Sequence, residues 1–401
     1  MTAMEKNNKT LNVPHLRFPE FSGEWESTPI STIADIIGGG TPDTSVDEYW
    51  GGNIQWFTPS EIGKEKYAYL SDRTITEAGL KNSSAKLLPQ GTVLLSTRAT
   101  IGECSIATAE CTTNQGFQSL VAKKNNVSSE FLYYIVAKIK REMLRRSCGS
   151  TFLEISANEL KKIHANIPSK AEQEKLVSLL SLIDQRIETQ KKIIEKYESL
   201  IRGLITYVNN GKVGRCEKVC LRELLIECHE KNSDNHEVCS VSVSHGVINQ
   251  VDYLGRSFAA KEVLHYNVVN YGDIIYTKSP TGDFPYGIIK RSDIHKPVAV
   301  SPLYGVYRPI NDYIGRYLHL YFKSPINAKN YLHRLIQKGA KNTINITNQH
   351  FLNNKIQIPE PDVLEVFVHA ASEIEKKILA ENRALASFEK QKNYLLSKMF
   401  I

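Results

Sequence analysis

Four cysteines and two histidines lie close together near the middle of the chain, where their side chains could hold a metal ion. They are Cys216, Cys220, Cys228, His229, His236 and Cys239. Zinc is usually bound by cysteine and histidine in closely spaced pairs such as CxxC. No CxxC pair is present, and the segment from Cys216 to Cys220 also fits the apolar edge of a strand. We favour the strand, and zinc stays open as the alternative.

Motifs of catalysis are otherwise missing from the sequence. There is no Gly-x4-Gly-Lys-Ser/Thr phosphate loop, no His-Glu-x-x-His, no Gly-x-Ser-x-Gly and no Asp/Asn-Pro-Pro-aromatic tetrapeptide. Pro361-Asp362 followed by Glu375 imitates a nuclease carboxylate pattern. These residues fall on one predicted helix, whereas a metal site needs carboxylates that converge from a folded core. The sequence therefore predicts a binding protein and not an enzyme.

The composition of the 401-residue chain is that of a globular protein. Apolar residues make up 41% and charged residues 23%, which suits two or three domains. No run of about 18 uncharged apolar residues is present, so no transmembrane helix is expected. The segment from Met1 to Thr10 is polar and lacks the apolar centre of a signal peptide. The seven cysteines, an odd number, favour a reducing compartment, and we expect a cytoplasmic protein.

The sequence repeats itself with an offset of 191 residues. Without gaps, residues 167–208 match residues 358–399 at nine positions, and upstream Gly91–Arg98 aligns with Gly272–Ser279. Such self-similarity indicates duplicated structural units. We expect two copies of one unit, each a globular segment followed by a long helix.

Each globular segment is predicted to mix strands and helices. Short β-type runs occur at Val93–Thr97 and Asp273–Thr277, bounded by glycine and polar residues. One amphipathic helix per copy is expected, around residues 129–146 and 313–337. The expected fold class is α+β.

The long helices carry the clearest periodic pattern. Ser169 and Glu172 fit a capping box at the start of the first helix. Apolar residues then recur at spacings of four and three, as in the seam of a coiled coil. The first seam consists of Leu176, Leu180, Ile183, Ile187, Gln190, Ile194, Tyr197, Ile201, Leu204 and Val208. The second consists of Phe367, Ala371, Ile374, Ile378, Glu381, Leu385, Phe388, Lys392, Leu395 and Met399. Gln190 and Glu381 are polar breaks at the same seam position.

The basic excess of the chain lies in the globular segments. Fifty Lys and Arg against 43 Asp and Glu give a net charge of +7, while residues 170–207 and 360–400 together sum to zero. A duplicated, basic chain without catalytic motifs suits a two-part DNA target, because duplex DNA has pseudo-twofold geometry.

Candidate base-reading residues lie at the ends of matching strands. Arg98 and Lys278 end these strands, and Ser279 follows Lys278. Asn114 and Gln115 form a polar turn. Arg, Lys, Asn, Gln and Ser can all bond to base edges in a groove. For Asn114 and Gln115, a plain turn remains the alternative.

Candidate phosphate-binding residues crowd the end of the first amphipathic helix. They are Lys138, Arg141 and Arg145, with Lys140 and Arg146 beside them. Cations of this kind position a protein on the DNA backbone. A solvated cationic helix face is the alternative.

Five short segments, in this order and together with the duplication, are similar to one protein family. They are Pro14–Glu26, Gly39–Pro42, Ile167-Pro168, Ile183–Ile187 and Leu395–Phe400. Over nearly its whole length the chain resembles the specificity subunit of type I restriction–modification enzymes. Arg17 to Trp25 has no counterpart in the second half, so the first strand of that half is uncertain.

The resemblance implies two tandem target-recognition domains, each followed by a long helix, with the two helices forming an antiparallel coiled coil. The implied segments are a flexible N-terminus (1–14), a first target-recognition domain (15–168), a central spacer helix (169–210), a linker (211–216), a second target-recognition domain (217–359) and a C-terminal spacer helix (360–401). In an antiparallel pair, opposed residue numbers have a constant sum, and a sum of 575 pairs all the seam positions. The alternative is that Gln190 and Glu381 face solvent where the helices diverge.

The resemblance also implies partners. Each recognition domain would read one half of a bipartite site in double-stranded DNA, and the helices would dock two methyltransferase subunits, which nuclease/translocase subunits then join. S-adenosylmethionine and ATP with Mg²⁺ would be used by those partners, with no cofactor on this chain and no membrane. Two alternatives are a self-contained methyltransferase or nuclease with fused recognition domains, and a coiled-coil scaffold that never touches DNA.

Overall fold

The computed structural model describes residues 12–149, 153–250, 263–338 and 344–401. Most of the predicted flexible N-terminus therefore lies outside the described residues. Within the described residues, no helix is long and apolar enough to cross a membrane.

The chain divides into two compact units that cut across both long helices. The first unit is Met1–Lys191 with Arg383–Ile401, and the second unit is Lys192–Asn382. The predicted segments assign each long helix to a spacer of its own. The units divide differently, because helix residues pack on the nearer globular core, as Leu176 and Leu396 do in the first unit.

The first unit is built around a twisted five-stranded sheet. Its strands are β1 (Glu26–Pro29), β2 (Ala34–Gly38), β3 (Trp50–Phe57), β4 (Tyr67–Ala68), β5 (Arg73–Ile75), β6 (Val93–Leu95), β7 (Cys104–Ala107), β8 (Cys111–Thr113), β9 (Gln118–Ala122) and β10 (His164–Ile167). Its helices, apart from the long ones, are Ile30–Ile33, Glu77–Lys81, Ser129–Arg146 and Ala157–Lys161, with 3-10 turns at Asp47–Tyr49 and Pro59–Glu61. The main sheet has the order β2-β9-β6-β7-β4, and β3 pairs with β5 and β8 in a second sheet.

The second unit repeats the central part of this sheet. Its strands are β11 (Cys216–Cys220), β12 (Leu225–Glu227), β13 (Cys239–Ser242), β14 (Gly246–Asn249), β15 (Asn267–Val269), β16 (Ile274–Tyr276), β17 (Ile289–Arg291), β18 (Val298–Val300), β19 (Gly305–Pro309), β20 (Gln337–Lys338), β21 (Ile344–Asn345) and β22 (Lys355–Pro359). Its shorter helices are Leu221–Leu224, Asp312–Phe322, Pro325–His333 and Asn348–Asn353. The order β12-β19-β16-β17 corresponds to β2-β9-β6-β7 of the first unit.

The first and last strands of each globular part pair in the same register. Glu26 lies opposite Ile167 where β1 meets β10, and Glu217 lies opposite Ile358 where β11 meets β22. The offset between these pairs equals that of the sequence repeat. Strand β11 therefore takes the place of β1, which identifies the first strand that the sequence left uncertain for the second half.

The two predicted amphipathic helices differ in outcome. Ser129–Arg146 agrees with the prediction, and Ser128 caps it by accepting a bond from the Phe131 amide at 3.1 Å. The helix predicted at 313–337 is instead two helices that meet at Ser324 and Pro325. Proline lacks an amide hydrogen and clashes with the preceding turn, so it starts a new helix and does not continue the old one.

The two long helices are Lys170–Asn209 and Pro361–Met399. Their seam residues are buried or half-buried, and Gln190 is only 8% exposed, so this polar break does not face solvent. The predicted capping box is half present. Ser169 accepts from the Glu172 amide at 3.4 Å, but the Glu172 carboxylate is bound elsewhere.

Glu172 is buried at the root of the first long helix by the segment that precedes β1. Arg17 donates to it through Nε and Nη2 at 2.8 and 2.7 Å, and Trp25 Nε1 donates at 3.2 Å. A bidentate arginine–carboxylate pair is one of the stronger charged contacts. The segment Pro14–Glu26, which carries part of the family resemblance, thus fastens the start of the long helix to the sheet.

The glycines of the Gly39–Pro42 segment allow a close crossing of backbones. A Cβ on Gly39 would lie 2.1 Å from the carbonyl oxygen of Asn114, whereas one on Gly38 would come no closer than 3.5 Å to the Gln118 side chain. The Gly40 amide donates to the Thr113 carbonyl at 2.8 Å. The crossing holds the turn at Asn114 against the first unit.

A buried polar network joins the sheet of the first unit to both long helices. Lys66 Nζ, just before β4, donates to Tyr134 Oη at 2.9 Å and to Ser181 Oγ at 2.8 Å. Tyr134 donates to Asp184 Oδ2, and Lys392 lies 2.7 Å from Asp184 Oδ1. Burial lowers the pKa of Lys66. Every member of the network has a partner, as a buried polar group requires.

We expect Gly39→Ala to destabilise the first unit by about 3 kcal/mol, because a Cβ there overlaps fixed backbone. All three tryptophans, Trp25, Trp50 and Trp56, lie in this unit, so urea unfolding followed by tryptophan fluorescence reports on it alone. Gly38→Ala is the matched control and should change stability by less than about 1 kcal/mol. Equal effects of the two changes would contradict the steric argument.

Lys66→Met should lower the free energy of unfolding of the first unit by about 1–3 kcal/mol, because it leaves buried hydroxyl groups with fewer partners. The same fluorescence measurement applies. The control is Lys64→Met, since Lys64 is exposed and its loss should be nearly neutral. If both variants unfold at the wild-type urea concentration, the network contributes nothing to stability.

Candidate nucleic-acid interface

Arg98 lies in the loop that joins β6 to β7, residues 96–103. Its side chain is half exposed, and its Nε lies 3.8 Å from a carboxylate oxygen of the equally exposed Glu154. An exposed ion pair of this kind contributes about 0–1 kcal/mol. The guanidinium is therefore able to leave Glu154 for a stronger acceptor.

The turn at Asn114 and Gln115 lies beside the same loop. The Thr97 amide donates to the Gly116 carbonyl at 2.9 Å, which brings the turn next to Arg98. Asn114 Oδ1 accepts from the Gly116 amide at 2.8 Å, so this side chain stabilises the turn. The Gln115 side chain is exposed. Of the two, Gln115 is the one placed to bind a ligand.

Gln115 is also held from the other side. The hydroxyl of Thr41, in the Gly39–Pro42 segment, donates to Gln115 Oε1. The amide nitrogen of Gln115 then remains as a donor at the surface. Two of the predicted base-reading residues, Arg98 and Gln115, thus share one end of the first sheet.

The basic helix residues form a separate group. Lys138 is half-buried beside a cavity of about 200 Å³, and burial lowers its pKa. Arg141 is exposed, and Arg145 Nη2 lies 2.8 Å from a carboxylate oxygen of Glu142. Among the described residues, no hydrogen bond or ion pair connects this group with Arg98 or Gln115.

Carboxylates distant in sequence neutralise part of this helix. Lys140 Nζ lies 2.6 Å from Glu103, and Arg146 lies 2.6 Å from Glu142 and 3.1 Å from Glu159. In the sequence, only Glu142 lies close to these cations. Glu103 and Glu159 come close to them only in the folded structure. The pairs make Arg146 and Lys140 less available to a phosphate, whereas Arg141 forms no ion pair with the described residues.

The corresponding loop of the second unit, residues 277–288, joins β16 to β17 and is longer. Lys278 is half-buried in the left-handed region at φ 60°, and burial lowers its pKa. Ser279 is exposed. Thr281 and Phe284 exchange two backbone hydrogen bonds of 3.0 Å, and the Phe284 ring is buried in the core. The buried Phe284 ring and the two backbone hydrogen bonds therefore hold the exposed part of this loop against the core.

The cysteines near the middle of the chain do not gather around one point. Cys216 and Cys220 lie on β11, as the strand interpretation predicts, and Cys239 lies on β13. In the part of the chain that the structure describes, no group of three or more His, Cys, Asp or Glu side chains is placed to hold a metal ion. All seven cysteines are unpaired.

Comparison with known proteins finds similarity in the first half of the chain. Residues 22–199 match the type I restriction modification DNA specificity domain. The MjaIX specificity subunit of Methanocaldococcus jannaschii is 42% identical over 180 residues, which are 43% of this chain and 41% of that protein. The EcoR124I/EcoR124II specificity subunit of Escherichia coli is 26% identical over 204 residues, 46% of this chain and 50% of that protein.

The chain therefore spans about half the length of these curated relatives or less. A solved structure extends the likeness in fold. The type I restriction-modification S subunit of M. genitalium has a TM-score of 0.55 at 14% identity and covers 97% of this chain and 99% of its own. That likeness shows a mixed helix-and-sheet fold with a long helix. Residues 22–199 are thus similar to the type I restriction modification DNA specificity domain, and the resemblance to type I specificity subunits is confirmed over that part of the chain.

Proposed function

We propose that this chain is the noncatalytic DNA-recognition subunit of a type I restriction–modification complex. The observation that carries the proposal is the match of residues 22–199 to the DNA specificity domain. The repeated sheet order of the second unit supports a second reader of the same kind. The proposed target is bipartite double-stranded DNA, with one target-recognition domain, residues 15–168 or 217–359, for each half. The proposed location is the cytoplasm.

The loops after β6 and β16 are the proposed base readers. Arg98 and Gln115 present donors at the end of the first sheet, and an arginine can bond both acceptors of guanine in the major groove. Lys278 and Ser279 occupy the matching place in the second unit. The loops differ in length and sequence, so we propose that the two half-sites differ as well.

Phosphate contacts are proposed for the basic helix of the first unit. Arg141 and Arg145 are exposed, and Arg145 can exchange its surface pair with Glu142 for a phosphate. Lys138 is half-buried and is the weakest of the three candidates. Asn114 acts in this proposal as the residue that shapes the turn carrying Gln115.

The two long helices are proposed to form an antiparallel coiled coil that fixes the spacing of the readers. In the first unit the Arg186 guanidinium lies 5.1 Å from the centre of the Phe388 ring. In the second unit Lys377 Nζ lies 5.9 Å from the centre of the Tyr197 ring. Both pairs of residue numbers sum to 574, one less than the predicted 575. Such a constant sum is what an antiparallel register requires.

The proposed partners are two methyltransferase subunits, docked through the helices, and the nuclease/translocase subunits that join them. S-adenosylmethionine and ATP with Mg²⁺ would be bound by those partners. This chain would position the duplex relative to the methyltransferase. Positioning of this kind raises the effective concentration of one adenine at the methyltransferase over that of others.

Exchange of the second recognition domain is the first test. Replacing residues 217–357 with the corresponding segment of another specificity subunit should change one half-site and leave the other intact, because β11 and β22 close that segment on itself. Methylated adenines mapped by sequencing DNA modified by the complex give the answer. The matched control replaces the segment with the same amino-acid sequence, encoded by different codons. A change in both half-sites would contradict two independent readers.

The second test concerns Arg98. Arg98→Ala should weaken DNA binding by the assembled complex by about 1–3 kcal/mol and relax preference at one position of one half-site, because a bidentate contact to a base is lost. Arg98→Lys keeps the charge without the planar fork and should recover part of the affinity. Binding is measured by fluorescence anisotropy at several salt concentrations. A change in salt slope with unchanged preference would assign Arg98 to phosphate.

A further inference from the structure

In the first unit, a lysine fills the groove between the helix Ser129–Arg146 and the first long helix. Lys66 reaches it from the segment before β4, which pairs in parallel with β7 at the sheet edge. There its ammonium bonds Ser181 and lies 3.7 Å from Asp184. The ammonium also lies 4.8 Å from the centre of the Tyr134 ring. The groove of the first unit is therefore closed by the chain itself.

The second unit keeps the two acceptors that lie on the long helix but has a different residue in place of Lys392. With the repeat offset, Ser372 and Glu375 stand at the positions of Ser181 and Asp184. The same offset places Ile201, which is buried in the core, at the position of Lys392. The second unit thus has a carboxylate, Glu375, but no lysine at the position of Lys392, which the second long helix supplies in the first unit.

The groove of the second unit is an open cavity of about 600 Å³. Its lining comes from the helix Asp312–Phe322 and from the second long helix, and includes Asp312, Arg316, Ser372, Glu375 and Lys376. Among the described residues, no strand pairs with β17 in the way that β4 pairs with β7. The element that delivers Lys66 in the first unit therefore has no described counterpart here.

The cations around the cavity are largely committed to other carboxylates. Arg316 Nε lies 2.8 Å from Asp312, and Arg291 is paired with Asp293 and Asp312. Lys376 lies 2.6 Å from Glu373. These pairs leave little positive charge for a further carboxylate in the same place.

Glu375 forms an ion pair with Lys323 at 3.8 Å, and both side chains are partly exposed, Glu375 at 33% and Lys323 at 45%. Desolvation raises the pKa of Glu375, and Asp293 adds to this while Lys323, Arg316 and Arg291 oppose it. A half-buried carboxylate that is weakly paired gains most from a cation that enters beside it.

We propose that an extended, lysine-bearing segment of a partner subunit occupies this groove and places its ammonium against Glu375 and Ser372, as Lys66 does against Asp184 and Ser181. The inference rests on the proposed function, because the partner is the methyltransferase docked on the helices.

Affinity of the full chain for the methyltransferase subunit tests the inference. Glu375→Lys should raise the dissociation constant about tenfold or more by placing like charges together, and Glu375→Gln should raise it by about threefold. Glu389→Lys is the matched control, because Glu389 is exposed on the same helix and does not line the cavity; this variant should stay within about twofold of wild type. Sedimentation or calorimetry of the purified proteins gives the constants. Wild-type affinity in Glu375→Lys would overturn the inference.

Cross-linking keeps the inference testable if Glu375→Lys fails to fold. In the assembled complex, Ser372→Cys carrying a maleimide–succinimide linker should react with a methyltransferase lysine, identified by mass spectrometry. A link only to lysines of this chain, such as Lys323, or no link at all, would overturn it. If the wild-type chain binds no methyltransferase, the proposed function is wrong. If it binds and the Glu375 variants bind equally well, the proposed function stands and only the inference about the groove is wrong.

Discussion

The pairing of the first and last strands of each globular part is the constraint on which the rest of the structure depends. β1 with β10, and β11 with β22, bring the two ends of a segment of well over a hundred residues to adjacent positions at the root of a long helix. Neighbouring strands lie only about 5 Å apart. Each globular part therefore begins and ends at the same place, next to the start of its long helix. Its distant loops can change without moving the helix that follows.

The repeat preserves this geometry while the chemistry at the helix root changes. In the first unit Glu172 is buried against Arg17 and Trp25. With the repeat offset, Val363 stands at the position of Glu172 and Cys216 at that of Trp25. A buried ion pair and an apolar contact of similar volume can contribute comparably to stability. The duplication therefore constrained backbone position more tightly than side-chain type, which is why the two halves share so little sequence.

The sequence predicted what is local or periodic. The long helices, Ser129–Arg146 and the strands near Val93 and Ile274 follow from spacing and caps. The groups that it missed are joined by tertiary contacts. Glu172 could not be recognised as the partner of Arg17, and Lys66 could not be placed beside Asp184, because each pair is separated by more than a hundred residues. The break at Pro325 was readable, since proline interrupts a helix by its covalent structure.

The candidate site could be predicted only in part, because it too depends on tertiary contacts. Arg98 and Gln115 come together because strands β6 and β9 are neighbours, a pairing that alternation alone does not specify. The loops after β6 and β16 also each hold a non-glycine residue in the left-handed region, Ala99 at φ 61° and Lys278 at φ 60°. Such a conformation costs about 1 kcal/mol or more and persists only where surrounding contacts enforce it. The fold thus gives up stability for the shape of these loops. Their exposed tips differ between the units, and in the proposed function these differences would set what each loop reads.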